Sequence, residues 1–172
     1  MTAPRREGGR VDLPGGGRTI WTVAEGTRGR RRRWVREDGR GLLVVLLETD
    51  PGGSPTRLEV SSAAGLLTLH PEADGREAHG NVVGPDGVRP LAFPWGPTHG
   101  FDVVDLPEVL AACGGESAGR GGDGARGGDA TGVVRRPVLL VDRELRVVEA
   151  TAEMAGEPAG ADGASGHVWP LE

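Results

Sequence analysis

The chain has 172 residues and a net charge of −5, so we expect one domain and not a protein that coats nucleic acid with its whole surface. Its single cysteine, Cys113, excludes an internal disulfide and fits a reducing compartment. The N-terminus lacks an apolar leader, and no apolar run approaches the roughly 20 residues of a membrane helix. These features predict a cytoplasmic protein without a membrane span.

The N-terminal third predicts an arm followed by three strands. Residues 1–18 are polar and rich in Arg and Gly, which predicts a disordered arm. Residues 19–24 alternate between apolar and polar side chains as a strand does, and residues 30–37 can form a second strand. Residues 42–47 are six consecutive apolar residues, too few for a confident helix, and two of them are valine. They predict a central strand that is covered on both faces.

The middle of the chain predicts further strands joined by short turns. Residues 57–60 alternate and predict a strand with one wet face. Residues 66–72 and 77–83 flank Asp74-Gly75, a pair that favours a two-residue type I′ hairpin turn. Residues 88–95 predict another strand, which should lie at a sheet edge because its two prolines cannot donate backbone hydrogen bonds.

The C-terminal part predicts a short helix, a flexible loop and a last hairpin. Residues 106–113 predict the helix, with Asp105 as its capping residue. Residues 114–132 are nearly half glycine, which is typical of a flexible loop. Residues 133–154 predict a final β-hairpin of the same domain, and residues 155–172 predict a flexible tail.

The fold class follows from this order of elements. Consecutive strands with short connections and one short helix predict an all-β protein. We expect residues 19–113 to form one antiparallel meander that ends in the helix, and the final hairpin to complete the domain. Such a meander forms a curved sheet, a half-barrel or a partly closed barrel.

The Asp74-Gly75 hairpin predicts a candidate metal site. A two-residue or four-residue loop places His70 opposite His79 and Glu72 opposite Glu77, all on one face of the hairpin. Opposed Cβ atoms lie about 5 Å apart, and two imidazoles with two carboxylates at that spacing can bind a divalent metal such as zinc. The alternative is the solvated face of an ordinary hairpin. The metal is the only cofactor that the residues suggest.

Three tryptophans form a second candidate site. Trp21, Trp34 and Trp95 lie on or beside different predicted strands, and aromatic side chains often line ligand pockets. An apolar small molecule or a protein partner would then bind on the concave side of the sheet. The alternative is that the tryptophans pack in the core.

A run of basic residues forms a third candidate site. Arg30, Arg31, Arg32 and Arg33 precede Trp34, and guanidinium groups beside an indole suit single-stranded nucleic acid. The net negative charge and the complete absence of lysine weaken this interpretation, because Arg is the chain's only cationic residue type. A solvated strand is the alternative, and nucleic acid is the less favoured partner.

Parts of the sequence resemble known proteins. Residues 20–23, 46–50, 67–72 and 79–81 resemble small proteins of high-GC actinobacteria whose role is not established. The order of strands is also similar to that of the glycolipid-binding family, whose fold is a curved antiparallel half-barrel. The resemblance spans roughly residues 19–151 and implies a curved sheet that binds an apolar molecule. That family's stretch before its late Arg-Arg pair is missing here, so no site residue is carried over.

Three functions therefore stay open. The leading hypothesis is a non-enzymatic binding or interaction protein whose curved sheet binds an apolar small molecule or partner. The second is a divalent-metal-binding protein or metalloenzyme that uses the His and Glu side chains of the hairpin. The third is nucleic-acid binding through the Arg run. The sequence has no P-loop, dinucleotide-binding fingerprint or cysteine-based zinc motif.

Overall fold

The structure is a computed structural model, and it describes residues 5–113 and 133–155. These residues form eleven strands and one short helix. The elements are β1 (Arg5–Asp12), β2 (Gly17–Gly26), β3 (Gly29–Asp38), β4 (Gly41–Thr49), β5 (Pro55–Ser62), β6 (Gly65–Pro71), β7 (Glu77–Gly84), β8 (Gly87–Pro94), β9 (Gly100–Val103), α1 (Glu108–Ala112), β10 (Val133–Val141) and β11 (Val147–Ala155). The predicted all-β class with one short helix is confirmed.

The first eight strands form one antiparallel sheet in which each strand pairs with the next along the chain. This is the predicted meander, and it stays open because β1 and β8 lie at opposite edges. The edge position predicted for the proline-containing strand β8 is also confirmed. Glycines permit the tightest turns: Gly29 has φ +120°, and a Cβ there would lie 1.9 Å from the carbonyl oxygen of Thr49.

The last three strands form a second, smaller sheet in the order β11-β10-β9. Strands β10 and β11 are the predicted final hairpin, and β9 pairs with β10 in parallel. The short helix α1 lies between β9 and β10 along the chain. The predicted loop over 114–132 and the tail, apart from its first residue, lie outside the described residues. Within the described ranges, no helix has the length and apolar character that crossing a membrane requires.

The small sheet and α1 cover one face of the eight-stranded sheet, which we call the inner face. Side chains at alternate positions of the central strands are fully buried there, as the period of two requires. The core consists of Trp34, Leu43, Val45, Leu47, Leu58, Val60, Leu67, Leu69 and Ala78 from the large sheet, with Phe101, Val103, Leu106, Val109, Cys113, Leu139, Val141 and Leu145 from the covering layer. We call the opposite face the open face.

Strand β4 differs from its prediction. Its inner-face residues Leu43, Val45 and Leu47 are buried, but Leu42 on the open face is 55% exposed. Val44 and Leu46, also on the open face, are only half-buried. The prediction of a strand covered on both faces is therefore wrong, because the second layer packs on one side only.

The N-terminal segment also differs from its prediction. From Arg5 onwards the expected arm is an edge strand, and its backbone pairs with β2 along its whole length. One of the glycines that suggested disorder, Gly9, has a packing role here. The Trp21 ring lies so close to Gly9 that a Cβ at this position would be 2.8 Å from it. The missing side chain leaves room for the indole.

The helix α1 is shorter than predicted and lacks the predicted cap. Its N-cap residue is Pro107, and no side chain caps its first turn. Asp105 instead adopts φ +69° and forms ion pairs with Arg40 and Arg143. The carboxylate therefore stabilises the contact between the layers rather than the helix terminus.

A buried arginine joins the two layers through polar contacts. Arg143, in the turn between β10 and β11, is 7% exposed, and its Nη2 lies 2.6 Å from Asp38 Oδ2 on β3. Its Nε lies 3.4 Å from Asp105 Oδ2. The backbone carbonyl of Arg143 accepts a hydrogen bond of 2.6 Å from the Ser62 hydroxyl on β5. The turn of the small sheet is thus attached to two strands of the large sheet.

Candidate functional site

The open face contains a cavity of about 590 Å³. Strands β1 to β6 all contribute to it, and the small sheet does not. Its apolar lining consists of Val23, Ala24, Val44, Leu46 and Leu66, and its hydroxyl groups come from Thr22 and Ser61. Ligand pockets typically have this size and an apolar lining with a few polar groups.

The strand register explains why these residues lie together. Thr22, Arg33, Leu46 and Glu59 are paired across four neighbouring strands, so their side chains share the open face in one row. The next row contains Val44, Ser61 and Leu66. Leu66 is 40% exposed. The apolar members of the two rows are Val44, Leu46 and Leu66, with Ser61 and Glu59 of β5 beside them. We call these three residues the apolar floor, and no described residue covers it completely.

The charged residues at the cavity differ in how they are paired. Three of them have ion-pair partners outside the lining: Glu7 pairs with Arg5, Arg31 with Glu48, and Glu59 with Arg57. The remaining two are Arg6 and Arg33. Among the described residues, neither has a carboxylate within ion-pair distance. Positive charge is therefore left uncompensated at this site.

The three tryptophans lie elsewhere. Trp34 is buried in the inner-face core, and Trp21 and Trp95 pack against that core from its margin. The Trp95 ring packs in a tilted arrangement against the Phe101 ring and the His99 ring, with centroid distances of 4.8 Å and 5.3 Å. None of the three tryptophans lines the open-face cavity. The structure thus places them where the core-packing alternative expects them.

The hairpin histidines face each other as predicted. His70 pairs with His79 in the expected register, and their ring centroids are 6.2 Å apart. Leu67, Leu69 and Val82 lie on the inner face, as that register requires. The turn type is wrong, however, because Gly75 but not Asp74 has positive φ. A four-residue loop closes the hairpin instead, and Glu72 N–H donates to the Glu77 carbonyl at 2.8 Å.

The predicted metal ligands do not form a complete site. His79 Nδ1 lies 3.3 Å from Glu72 Oε1, which brings one carboxylate to one imidazole. Within residues 5–113 and 133–155, no three His, Cys, Asp or Glu side chains are grouped so that they could bind a metal ion. Burial lowers the pKa of His70, and the nearby Arg57 guanidinium lowers it further. The described geometry therefore favours polar side chains on a solvated hairpin face over a metal centre.

The Arg run is divided by the pleat of β3. Arg30 and Arg32 project towards the inner face, where Arg30 Nε lies 3.0 Å from Glu25 and Arg32 donates a 2.7 Å hydrogen bond to the carbonyl of Ala112 at the end of α1. Arg31 and Arg33 project from the open face, and Arg31 Nε donates to Glu48 at 2.7 Å. The four guanidinium groups therefore do not form one basic surface for nucleic acid.

Sequence reasoning missed the residues that line the cavity. The useful signal lay in the positions next to the core residues. In β4 the two positions between core residues are apolar, and in β6 an apolar residue precedes the first core residue. Those positions include Val44, Leu46 and Leu66, which would be polar on an ordinary solvated sheet face. Position 33 within the Arg run lies on the same face by the same period of two.

Comparison of the chain with protein-family models, with curated proteins and with solved structures finds no match.

Proposed function

We propose that this chain is a non-enzymatic binding protein that binds an apolar small molecule in the open-face cavity. The observation that carries the proposal is the apolar floor of Val44, Leu46 and Leu66 beneath a cavity of about 590 Å³. A second layer seals the inner face of the same sheet, whereas nothing within residues 5–113 and 133–155 seals this face. An uncovered apolar concavity of this kind is typical of an interaction site.

The lining favours binding over catalysis. It contains no histidine and no cysteine. Its one serine, Ser61, lies two residues from Glu59, but that carboxylate pairs with Arg57 and not with the serine hydroxyl. Nucleophilic catalysis needs a nucleophile and a general base within hydrogen-bond reach of each other. The similarity to the glycolipid-binding family points in the same direction, and membership of that family is itself a proposal for this chain.

Nile red, a neutral apolar dye, tests the proposal directly. We expect saturable binding with an increase in dye fluorescence. Leu46→Gln should weaken this binding at least about fivefold, because it puts an amide on the cavity floor. Leu42→Gln is the matched control: Leu42 is on the same strand and face but outside the lining. Circular dichroism would confirm that both variants fold.

Two results would contradict the proposal. One is the absence of saturable dye binding by the wild-type chain. The other is equal weakening by Leu46→Gln and Leu42→Gln, since it would show that the dye adsorbs to exposed leucines in general rather than to the cavity.

A further inference from the structure

Two arginines at the cavity have no partner among the described residues, and this sets them apart from the other charged groups there. Arg33 lies in the row between Thr22 and Leu46, so its side chain leaves the sheet directly beside the apolar floor. Arg6 lies on β1, opposite Ala24 of the lining. Both guanidinium groups are at the β1–β3 end of the cavity.

The pairing of the neighbouring charges makes this arrangement specific. Arg31 is only two residues from Arg33 on the same face, but its guanidinium donates to Glu48. The acidic group in the row of Arg33 is Glu59, and it pairs with Arg57 on its own strand. Strands are spaced about 4.8 Å apart, so Glu59 lies two strands, or about 10 Å, from Arg33. The cavity therefore has a positive end, and its floor is apolar.

A guanidinium group presents a planar fork of donors that matches a carboxylate or a phosphate and binds it through two parallel hydrogen bonds. The apolar floor beside Arg33 cannot satisfy such an anion, but it can accept an alkyl chain attached to it. From Arg33 on β3 to Leu66 on β6 the cavity spans three strand spacings, about 14 Å, and Ser61 of β5 lies between Val44 and Leu66. The shape and the charge thus favour a molecule with an anionic head and an apolar tail.

We propose that the cavity binds a single-chain anionic amphiphile, with its carboxylate or phosphate head on Arg33 and Arg6 and its alkyl chain over Leu46, Val44 and Leu66. This inference rests on the proposed function and adds the chemical class of the ligand. Arg33 determines specificity for the head group, and the floor supplies most of the affinity for the chain.

The test compares ligands of equal chain length by displacement of Nile red below their micelle concentrations. Laurate and dodecyl phosphate carry the two candidate heads, dodecanol is the neutral equivalent, and acetate and inorganic phosphate are heads without a chain. We expect laurate or dodecyl phosphate to bind about tenfold more tightly than dodecanol, which is the usual scale of a charge-assisted hydrogen bond. Whichever of the two binds more tightly identifies the head.

Variants assign this preference to the arginines. Arg33→Gln should remove most of the tenfold preference for the anionic amphiphiles over dodecanol, while Arg6→Gln should reduce it in part. Arg28→Gln, in the turn between β2 and β3, removes the same charge outside the cavity and should leave the preference intact.

The outcomes separate the two proposals. Equal binding of laurate, dodecyl phosphate and dodecanol by the wild-type chain, or an unchanged preference in Arg33→Gln, would overturn the anionic head while the apolar site stands. Binding of inorganic phosphate or acetate as tightly as the amphiphiles would also overturn the proposed ligand class, because the arginines would then hold an adventitious ion only. Adsorption to anionic vesicles without binding of monomeric laurate would overturn the single-molecule ligand. If neither Nile red nor any amphiphile binds, the proposed function fails as well.

Discussion

The side chains of β4 are apolar on both faces of the eight-stranded sheet, but a second layer packs on only one of these faces. On β4 every position from Leu42 to Leu47 is apolar, yet the inner-face members are buried and the open-face members are half-buried or exposed. The difference comes from the small sheet and α1, which pack on the inner face alone. Among the described residues, burial on this sheet is thus determined by a second layer built from residues late in the chain, and the apolar residues of the open face lack such a layer.

The largest expected effect tests the inner face against the open face at neighbouring positions of β5. Leu58 is fully buried, so Leu58→Asp would bury an unpaired carboxylate and cost several kcal/mol, enough to unfold a domain of this size. Glu59→Ala, one residue further on, affects the open face and should cost about 1 kcal/mol or less. Urea denaturation measures both variants. Similar losses at the two positions would contradict the assignment of faces.

The next effect tests what attaches the covering layer. Arg143→Ala removes the more deeply buried of the two arginines paired with Asp38, which keeps the Arg36 side chain, so we expect a loss of about 2 kcal/mol in the free energy of unfolding. Arg146→Ala is the matched control in the same turn, because Arg146 forms an exposed ion pair with Asp142. Its denaturation midpoint should stay close to that of the wild-type chain. A loss as large as that of Arg143→Ala would show that the turn, not the buried pair, is responsible.

Acid provides a second measurement of the same contact. Burial alone would raise the pKa of Asp38, but hydrogen bonds from the Arg36 side chain, the Arg40 backbone and the Arg143 side chain lower it to about 2. Because the folded pKa lies below the ordinary value of 3.8, this carboxylate stabilises the fold fully above pH 3.8. The contribution is lost as the pH falls towards 2. The stability of Asp38→Asn should therefore vary less over this pH range than that of the wild-type chain.

The hairpin of β6 and β7 shows how much the sequence could predict. Turn residues and alternation are local signals, and both indicated the register that pairs His70 with His79. The same signals placed Leu67 and Leu69 correctly on the inner face. The class of the fold and the order of the meander followed from such hairpins, because each strand pairs with its neighbour along the chain.

The features that the sequence did not reveal depend on residues far apart in the chain. The layer that packs on the inner face is formed by β9 to β11, and no local sequence pattern predicts which face of β4 this layer packs against. The partners of Arg31 and Asp105 are likewise distant, so a basic run and a helix cap were expected where the structure has ion pairs. Strand β1 has the Arg-rich and Gly-rich composition of a disordered segment. The reason for a glycine at position 9 becomes visible only in the contact of β1 with the Trp21 ring.

A smaller effect tests whether Trp21, at the margin of the inner-face core, holds the edge strand β1 in place. Gly9→Ala would put a Cβ 2.8 Å from the Trp21 ring, so the indole must move and β1 should loosen at a cost of about 1 kcal/mol. Gly39→Ala, where a Cβ would meet no atom within 4 Å, is the control. Hydrogen exchange of the β1 amides reports the loosening. Unchanged protection in Gly9→Ala would mean that Trp21 does not hold this edge strand.

The smallest expected effect concerns a titration on the open face. Burial lowers the pKa of His70 below its ordinary value of 6.5, and the positive charges of Arg57 and His79 lower it further. Proton NMR of the His70 ring should therefore show a midpoint below pH 6.5, and Arg57→Gln should raise it because one cation is removed. Arg28→Gln, far from this hairpin in the strand order, serves as the control and should leave the midpoint in place.

Since the pKa of His70 is lower in the folded chain than in the unfolded chain, the neutral imidazole favours the fold above pH 6.5, and this contribution is lost as the pH falls below that value. A midpoint at or above 6.5 would contradict the burial and the positive charge that surround His70 in the structure.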